Sequence, residues 1–324
     1  MTATSPEIGP PRGFGALTGL DHVGIGVSDM AASLAFYRGL GFDDVVFDIS
    51  AELPGIGALT HHPVTAARIA LLRSSNPTPL GQASIKLVQL QNRPNAPLPE
   101  GMAWGERGVC EVCVHTRGHA GVYADLMSRG HRSLMEPNEA DLEPYQTHCG
   151  LSYVADPDGT KIELIEWSTL QAGWPGADGL QGVNHVAFGV TDIERTRDFY
   201  RNLGFTGQLF ESDGYFEPMD SWFAPRTPPR LRMMLLTAPA GGGLEPVEQS
   251  PQAGDMRGEW GHLGPFEFAI GSRCLERSLD YLDQQDIAII GEPAAIDIGG
   301  GASWRYAYFV DPDGLYVCIT EVRA

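Results

Sequence analysis

The stretch Gly19–Phe42, GLDHVGIGVSDMAASLAFYRGLGF, recurs as Gly182–Phe205, GVNHVAFGVTDIERTRDFYRNLGF. His22 and His185 fall in register, an offset of 185 − 22 = 163 residues in a chain of 324. Each copy reads as a strand bearing one histidine, a two-residue turn, and an amphipathic helix that ends at glycine. Such a chain folds by duplication: a face that one copy buries must be matched by the other.

In the first copy His22, Gly24 and Gly26 share one face of the strand Leu20–Val27, and Val23, Ile25 and Val27 share the other. Ser28 and Asp29 stand where they cap the following helix, whose Met30, Leu34, Tyr37 and Leu40 form an apolar stripe before Gly41. In the second copy His185, Ala187 and Gly189 oppose Val186, Phe188 and Val190, and Thr191-x-x-Glu194 reads as a capping box. Further strands are expected at Ala67–Arg73, Ala83–Gln91 and Arg230–Leu236. Leu244–Glu248 is a weaker strand because of Gly241–Gly243 and Pro246.

The plan recurs at a shorter period. Strand Val109–His115, helix Ala120–Ser128 and strands Leu151–Val154 and Lys161–Trp167 form a second unit, its last two strands joined by Asp156-Pro-Asp-Gly159. Strand Pro265–Gly271, helix Cys274–Gln284 and a hairpin around Asp311-Pro-Asp-Gly314 form a fourth. Across the four first strands one face carries a polar residue followed by small ones: His22/Gly24/Gly26, Glu111/Cys113, His185/Ala187/Gly189 and Glu267/Ala269/Gly271. A polar group above a floor of Gly and Ala implies a concave cavity with room for a ligand. Glu163 follows the first Asp-Pro-Asp-Gly turn by four residues and Cys318 follows the second by four, so both join the set.

Net charge is −19, which disfavours nucleic acid or an anionic membrane surface as a partner. No apolar run reaches the ~18 residues of a spanning helix, and residues 1–13 lack the apolar core of a secretory leader, so a cytoplasmic location is expected. Five cysteines, an odd number thinly spread, do not read as a disulfide framework. Cys110-x-x-Cys113 lies inside a strand, where positions three apart face opposite sides, which argues against a redox or zinc motif.

The paired patterns D-H-V-x-x-x-V-x-D-x-x-x-x-x-x-F-Y-R-x-L-G-F and Y-x-x-D-P-D-G resemble the vicinal oxygen chelate superfamily, from about Leu17 to Val322. That superfamily includes glyoxalases, bleomycin resistance proteins and extradiol dioxygenases. The resemblance implies an α+β fold of four βαβββ modules forming two tandem domains with cupped mixed sheets. The expected layout is an N-terminal arm (1–16), a first domain (17–167, modules about 17–95 and 106–167), a linker (168–181) and a second domain (182–324, modules about 182–250 and 262–324). It also implies up to four metal ligands on the first and last strands of paired modules. Carried over by position, these are His22, Lys86, Glu111 and Glu163 in the first domain, and His185, Glu245, Glu267 and Cys318 in the second. Both domains have Glu at the third place, where His is expected.

One imidazole and two carboxylates, His22 with Glu111 and Glu163, suit a divalent ion such as Mg, Mn, Fe or Zn. Lys86 opposes this, because an ammonium repels a cation. It would instead neutralise Glu111 or Glu163 as a buried pair, or act as a general base with a lowered pKa. In the second domain a Cys318 thiolate would favour Zn, although a buried Cys is more often plain packing. A lone strand histidine is likewise more often a hydrogen-bonded core residue; the shared register with a Glu lifts His22 and His185 above that reading. Tyr153 stands 163 − 153 = 10 residues before Glu163, the spacing of the substrate-orienting Tyr in extradiol dioxygenases, but the upstream His of that signature is missing. His61 and His62 are expected in a solvated loop.

Three readings stay open. The first is a lyase or isomerase acting on a small apolar or aromatic oxygenated molecule, with Glu163, Lys86 and Tyr153 as catalytic candidates. The second is an Fe(II) ring-cleaving dioxygenase, and the third a metal-free small-molecule binding or resistance protein. Whether modules pair within one chain or across a homodimer is also open.

Overall fold

The computed structural model describes residues 16–98, 104–142, 147–252 and 254–323, so the expected N-terminal arm lies outside the described residues except for Ala16. The first module holds β1 (Leu17–Gly26), α1 (Met30–Gly39), β2 (Asp44–Glu52), a short α2 (Gly57–Thr60), β3 (Ala66–Arg73) and β4 (Ser84–Leu90). The second holds β5 (Gly108–Arg117), α3 (His119–Ser128), β6 (Arg132–Leu142), β7 (Thr147–Ala155) and β8 (Lys161–Trp167), and a single turn of helix, α4 (Ser168–Gln171), opens the linker. The third holds β9 (Gly179–Val190), α5 (Ile193–Asn202), β10 (Gly207–Gly214), a short α6 (Asp220–Phe223), β11 (Arg230–Thr237) and β12 (Gly243–Ser250). The fourth holds β13 (Gly264–Ser272), α7 (Leu275–Gln284), β14 (Ile290–Gly299), β15 (Ala302–Val310) and β16 (Tyr316–Arg323). The fold is α+β with four βαβββ modules, as expected.

Local chemistry accounts for most of these elements. Asp29 caps α1 by accepting from the Ala31 and Ala32 amides at 2.8 and 3.1 Å. The cap of α5 is Asp192, which accepts from the Arg195 amide at 3.0 Å, and not Thr191 as the capping-box pattern suggests. Thr191 is drawn away because its hydroxyl donates to Asp313, as does its amide at 3.0 Å. Glycines 41 and 204, both at positive φ, end the two helices. The strand that follows each helix had no residue-level expectation: β2, β6, β10 and β14 are the outer strands of their sheets, and the apolar alternation that marks a buried strand is weak in them. The strand with Pro246 does form, as β12, between β11 and β9.

The sheets regroup the modules. One has the order β14-β15-β16-β13-β1-β4-β3-β2 and the other β10-β11-β12-β9-β5-β8-β7-β6. Module one thus pairs with module four, and module two with module three. The expected pairing within each half of the chain is not what the strands do. The reason is that every first strand presents the same free edge and the same polar-and-small face, so local sequence does not choose its partner. Both seams are antiparallel with matching registers: His22 opposite Ala269 and Gly24 opposite Glu267 in one, Cys113 opposite His185 and Glu111 opposite Ala187 in the other. The floor residues must be small: a Cβ on Gly24 would lie 2.4 Å from Glu267 Cγ.

The halves are tied in a second way, through the Asp-Pro-Asp-Gly turns. Tyr37 of α1 donates to Asp156 Oδ2 in module two at 3.0 Å, and Tyr200 of α5 donates to Asp311 Oδ2 in module four at 3.0 Å. Ser28 N likewise donates to Asp158 as Thr191 N does to Asp313. Modules of one half therefore share turn contacts while modules of opposite halves share sheets. The outer faces of both sheets and the helices meet in one apolar core, where Phe188 and Phe268 stack at 5.1 Å. The two concave faces hold separate clusters, one around Tyr153 and Trp167 and one around Trp304 and Tyr308. Tyr37 and Tyr200 are both fully buried against these carboxylates. Tyr37→Phe and Tyr200→Phe should each lower unfolding free energy by about 1–3 kcal/mol, the cost of leaving a buried acceptor without its donor; urea midpoints at constant m-value would measure it.

Candidate functional site

In the β5/β9 sheet four neighbouring strands point four polar side chains into the concave face: Glu111 from β5, Glu163 from β8, His185 from β9 and Glu245 from β12. All four are buried. His185 Nε2 lies 2.9 Å from Glu245 Oε2 and 3.3 Å from Glu163 Oε2. Its Nδ1 is 2.8 Å from Asn184 Oδ1, an arrangement that places a proton on Nδ1 and turns Nε2 toward the carboxylates. Trp104 Nε1 donates to Glu111 Oε2, and Tyr153 OH donates to Glu163 Oε1 at 3.3 Å.

Glu111 Oε1 is buried with no hydrogen-bond partner, and His185 Nε2 and Glu163 Oε2 meet only the ion-pair contacts of this cluster. Burial, followed by repulsion from Glu163 and Glu245, pushes the Glu111 carboxyl well above the usual range, and burial raises Glu245 as well. Burial by itself lowers the His185 pKa, but Glu245 and Glu163 outweigh it and lift it to about 10. Glu111, His185 and Glu245 each offer an atom within 4.8 Å of the others, as do Cys113, Glu163 and His185. The Cys113 thiol is pushed well up by burial and Glu163, which keeps it protonated and makes it a poor donor. The remaining donors, one imidazole and carboxylate oxygens, fit a divalent cation of hard or borderline character.

The corresponding place in the β1/β13 sheet holds His22, Lys86, Glu267 and Cys318, all fully buried. The grouping of His22 with Glu111 and Glu163 is therefore corrected: they lie on different sheets because β1 pairs with β13 and not with β5. For the same reason Lys86 does not meet Glu111 or Glu163; its Nζ pairs with Glu267 Oε1, and Glu267 and Cys318 do not share a site with His185 and Glu245. The Lys86 ammonium also lies 4.8 Å from the Trp304 ring centroid and 3.4 Å from Tyr308 OH. His22 Nε2 is 4.0 Å from Glu267 Oε1, its pKa lowered by burial and by Lys86. The Cys318 thiol is raised by burial. Here an ammonium already supplies the positive charge, and this donor set does not fit a second cation.

One repeated sequence pattern marks both sites. Trp104-Gly105-x-x-Gly108-x-x-Glu111 recurs as Trp260-Gly261-x-x-Gly264-x-x-Glu267. Trp260 Nε1 donates to Glu267 Oε2 at 2.8 Å, as Trp104 does to Glu111. His61 and His62 are exposed, in the expected loop.

The two concave faces also differ in free space. Over Glu163 and Glu245 opens a cavity of about 230 Å³, walled by Tyr153, Trp167, Phe210 and Met233 among others. Above Lys86 the cup holds Trp304, Tyr306 and Phe47, with Ile56 and Leu59 from the β2–β3 connection packed into the same cluster.

The sequence profile of the Glyoxalase/Bleomycin resistance protein/Dioxygenase superfamily matches residues 19–164 and 182–319. The chain belongs to that superfamily. Among solved structures, glyoxalase I from Zea mays superposes with a TM-score of 0.54 at 16% identity, covering 93% of this chain and 92% of that one. A putative dioxygenase from Bacillus subtilis does so with a TM-score of 0.55 at 12% identity, covering 94% and 85%. At such identities the likeness is one of fold. No curated protein matches the sequence. No described helix is long and apolar enough to cross a membrane.

Lys86→Met would strand the Glu267 carboxylate in the core and should cost about 3–5 kcal/mol of stability. Lys86→Met combined with Glu267→Gln should recover much of that loss. Comparing urea unfolding of the single and double variants measures both effects.

Proposed function

We propose that the chain is a divalent-cation-dependent enzyme of lyase or isomerase type, acting on a small apolar or aromatic oxygenated molecule in the cavity over Glu163. The observation that carries the reading is the gathering of buried Glu111, His185 and Glu245, each with a ligand atom within 4.8 Å of the others, and of Glu163 Oε2 at 3.3 Å from His185 Nε2. Buried polar atoms are rarely left unpaired, and one histidine, even protonated, does not balance three carboxylates. His185, Glu245 and Glu111 would hold the cation, with Asn184 setting the imidazole tautomer and Trp104 the Glu111 rotamer. When bound, the cation would supply Lewis-acid stabilisation of an oxyanion or enolate.

Glu163 is assigned the proton. Together with Glu245 it lines the cavity, which Glu111 does not. Tyr153 OH on its Oε1 orients the carboxylate and leaves Oε2, 3.3 Å from His185 Nε2, as the oxygen that accepts a proton from a substrate carbon or oxygen. The apolar walls exclude water from that transfer. Lys86 has no part in it, being spent on Glu267 in the other sheet. The Fe(II) dioxygenase reading keeps the Tyr153–Glu163 spacing in its favour, and a site with one histidine against it.

Elemental analysis of protein purified without chelator should find about one divalent ion per chain, not two. His185→Ala and Glu245→Gln should lose the ion, whereas Glu163→Gln and His22→Ala should keep it. Protein that binds no ion, or an ion lost by His22→Ala and kept by His185→Ala, would overturn the proposal. Stoichiometric iron with O2 uptake on a catechol would replace it with the dioxygenase reading.

A further inference from the structure

The cavity over Glu163 says what kind of molecule fits it. Its charged lining residues are Glu163, Glu245 and Asp213, and no lysine or arginine lines it among the described residues. Asp213 is already paired with Arg230, outside the cavity. With a cation held at the carboxylates, as proposed above, the floor is close to neutral. An additional carboxylate or phosphate on the ligand would then meet apolar walls with no counter-charge.

Two neutral donors lack partners on these walls. Trp167 is buried, and its Nε1 has no hydrogen-bond partner; the Oγ of Ser212 is buried and unpartnered as well. Both residues line the cavity. Trp167 follows Glu163 by four positions on β8, which sets it about 13 Å further along the same face at ~3.3 Å per residue. Ser212 approaches from the opposite edge strand, two positions after Phe210, whose ring centroid is 5.2 Å from that of Trp167. The indole N–H and the hydroxyl thus both belong to the lining of the cavity that holds Glu163 and Glu245, beside the aromatic surface of Phe210.

We infer that Trp167 Nε1–H and Ser212 Oγ–H form a subsite for a neutral oxygen acceptor, and that the ligand is an uncharged aromatic molecule with oxygens at both ends. Its ring lies between the aromatic walls, one oxygen group faces Glu163 and the cation, and the distal carbonyl, ether or hydroxyl oxygen accepts from Trp167 and Ser212. A ligand of this class satisfies both orphan donors at once, which an anion-free hydrocarbon does not. The class assignment rests on the proposed cation site; the Trp167/Ser212 subsite does not.

The test is calorimetric titration of the full chain with methyl 4-methoxyphenylglyoxylate, a neutral aromatic keto ester with an ether oxygen on the far side of the ring, and with 4-methoxyphenylglyoxylate, its carboxylate counterpart. Each is run on metal-loaded and on chelator-treated protein. The ester should bind metal-loaded protein at least tenfold more tightly than the carboxylate. Trp167→Phe and Ser212→Ala should each weaken the ester about five- to tenfold while leaving the ion content unchanged. If Trp167→Phe does not fold, Ser212→Ala decides alone. Equal or tighter binding of the carboxylate, no binding of either probe, or ester affinity untouched by Ser212→Ala would overturn the inference. Ester preference and Ser212 dependence in a protein that binds no ion would uphold the subsite while sinking the metal proposal.

Discussion

The antiparallel seam between first strands is the constraint on which the rest depends. Pairing β5 with β9, and β1 with β13, places residues from opposite halves of the chain side by side in one sheet. His185 meets Glu163 and Glu111 only because of this pairing, and Lys86 meets Glu267 for the same reason. The small residues opposite each Glu, Ala187 and Gly24, clear the space that lets a carboxylate stand inward at the seam. A second set of bonds, from Tyr37 and Tyr200 to the buried aspartates of the Asp-Pro-Asp-Gly turns, ties each half to itself through the shared core. Sheet pairing across halves and turn contacts within halves together knit the chain into one body.

One scaffold carries two different charge balances. The β5/β9 seam buries three carboxylates around the single histidine His185, with no lysine or arginine beside them among the described residues. At the β1/β13 seam the Lys86 ammonium sits against Glu267 and the Trp304 ring. Burying unbalanced charge is costly, and the second arrangement sets an ammonium against its one carboxylate where the first gathers three carboxylates around one histidine. The space above each follows the same division: an aromatic-walled cavity over the carboxylates, and over the ammonium a packed cluster with Trp304 and Tyr306.

Much of this was legible in residues. The polar-then-small face of each first strand, the helix caps and the two Asp-Pro-Asp-Gly turns all follow from local periodicity and turn chemistry. The inward register of His22, Glu111, His185 and Glu267 could be read the same way, since alternation on a strand is strictly local. The outer strands β2, β6, β10 and β14 were harder, because a strand exposed along one edge has a diluted apolar alternation. The Thr191 capping box misled for another reason: a carboxylate 313 − 191 = 122 positions away competes for the same amide. The Trp-Gly-x-x-Gly-x-x-Glu repeat was present in the sequence and carried information about both sites.

The sequence by itself determined that there are four modules, which face of each first strand points inward, and which groups stand on it. Only the tertiary structure decided which modules share a sheet. Four similar strand edges are nearly interchangeable by local chemistry, and the choice among them is made by packing over the whole core. That choice sorts the inward groups into one set with an ammonium and one set without. Lys86 and Glu163 have neighbours in sequence that say nothing of each other's charge; the seams put the ammonium beside Glu267 and leave Glu163 facing His185 and open space.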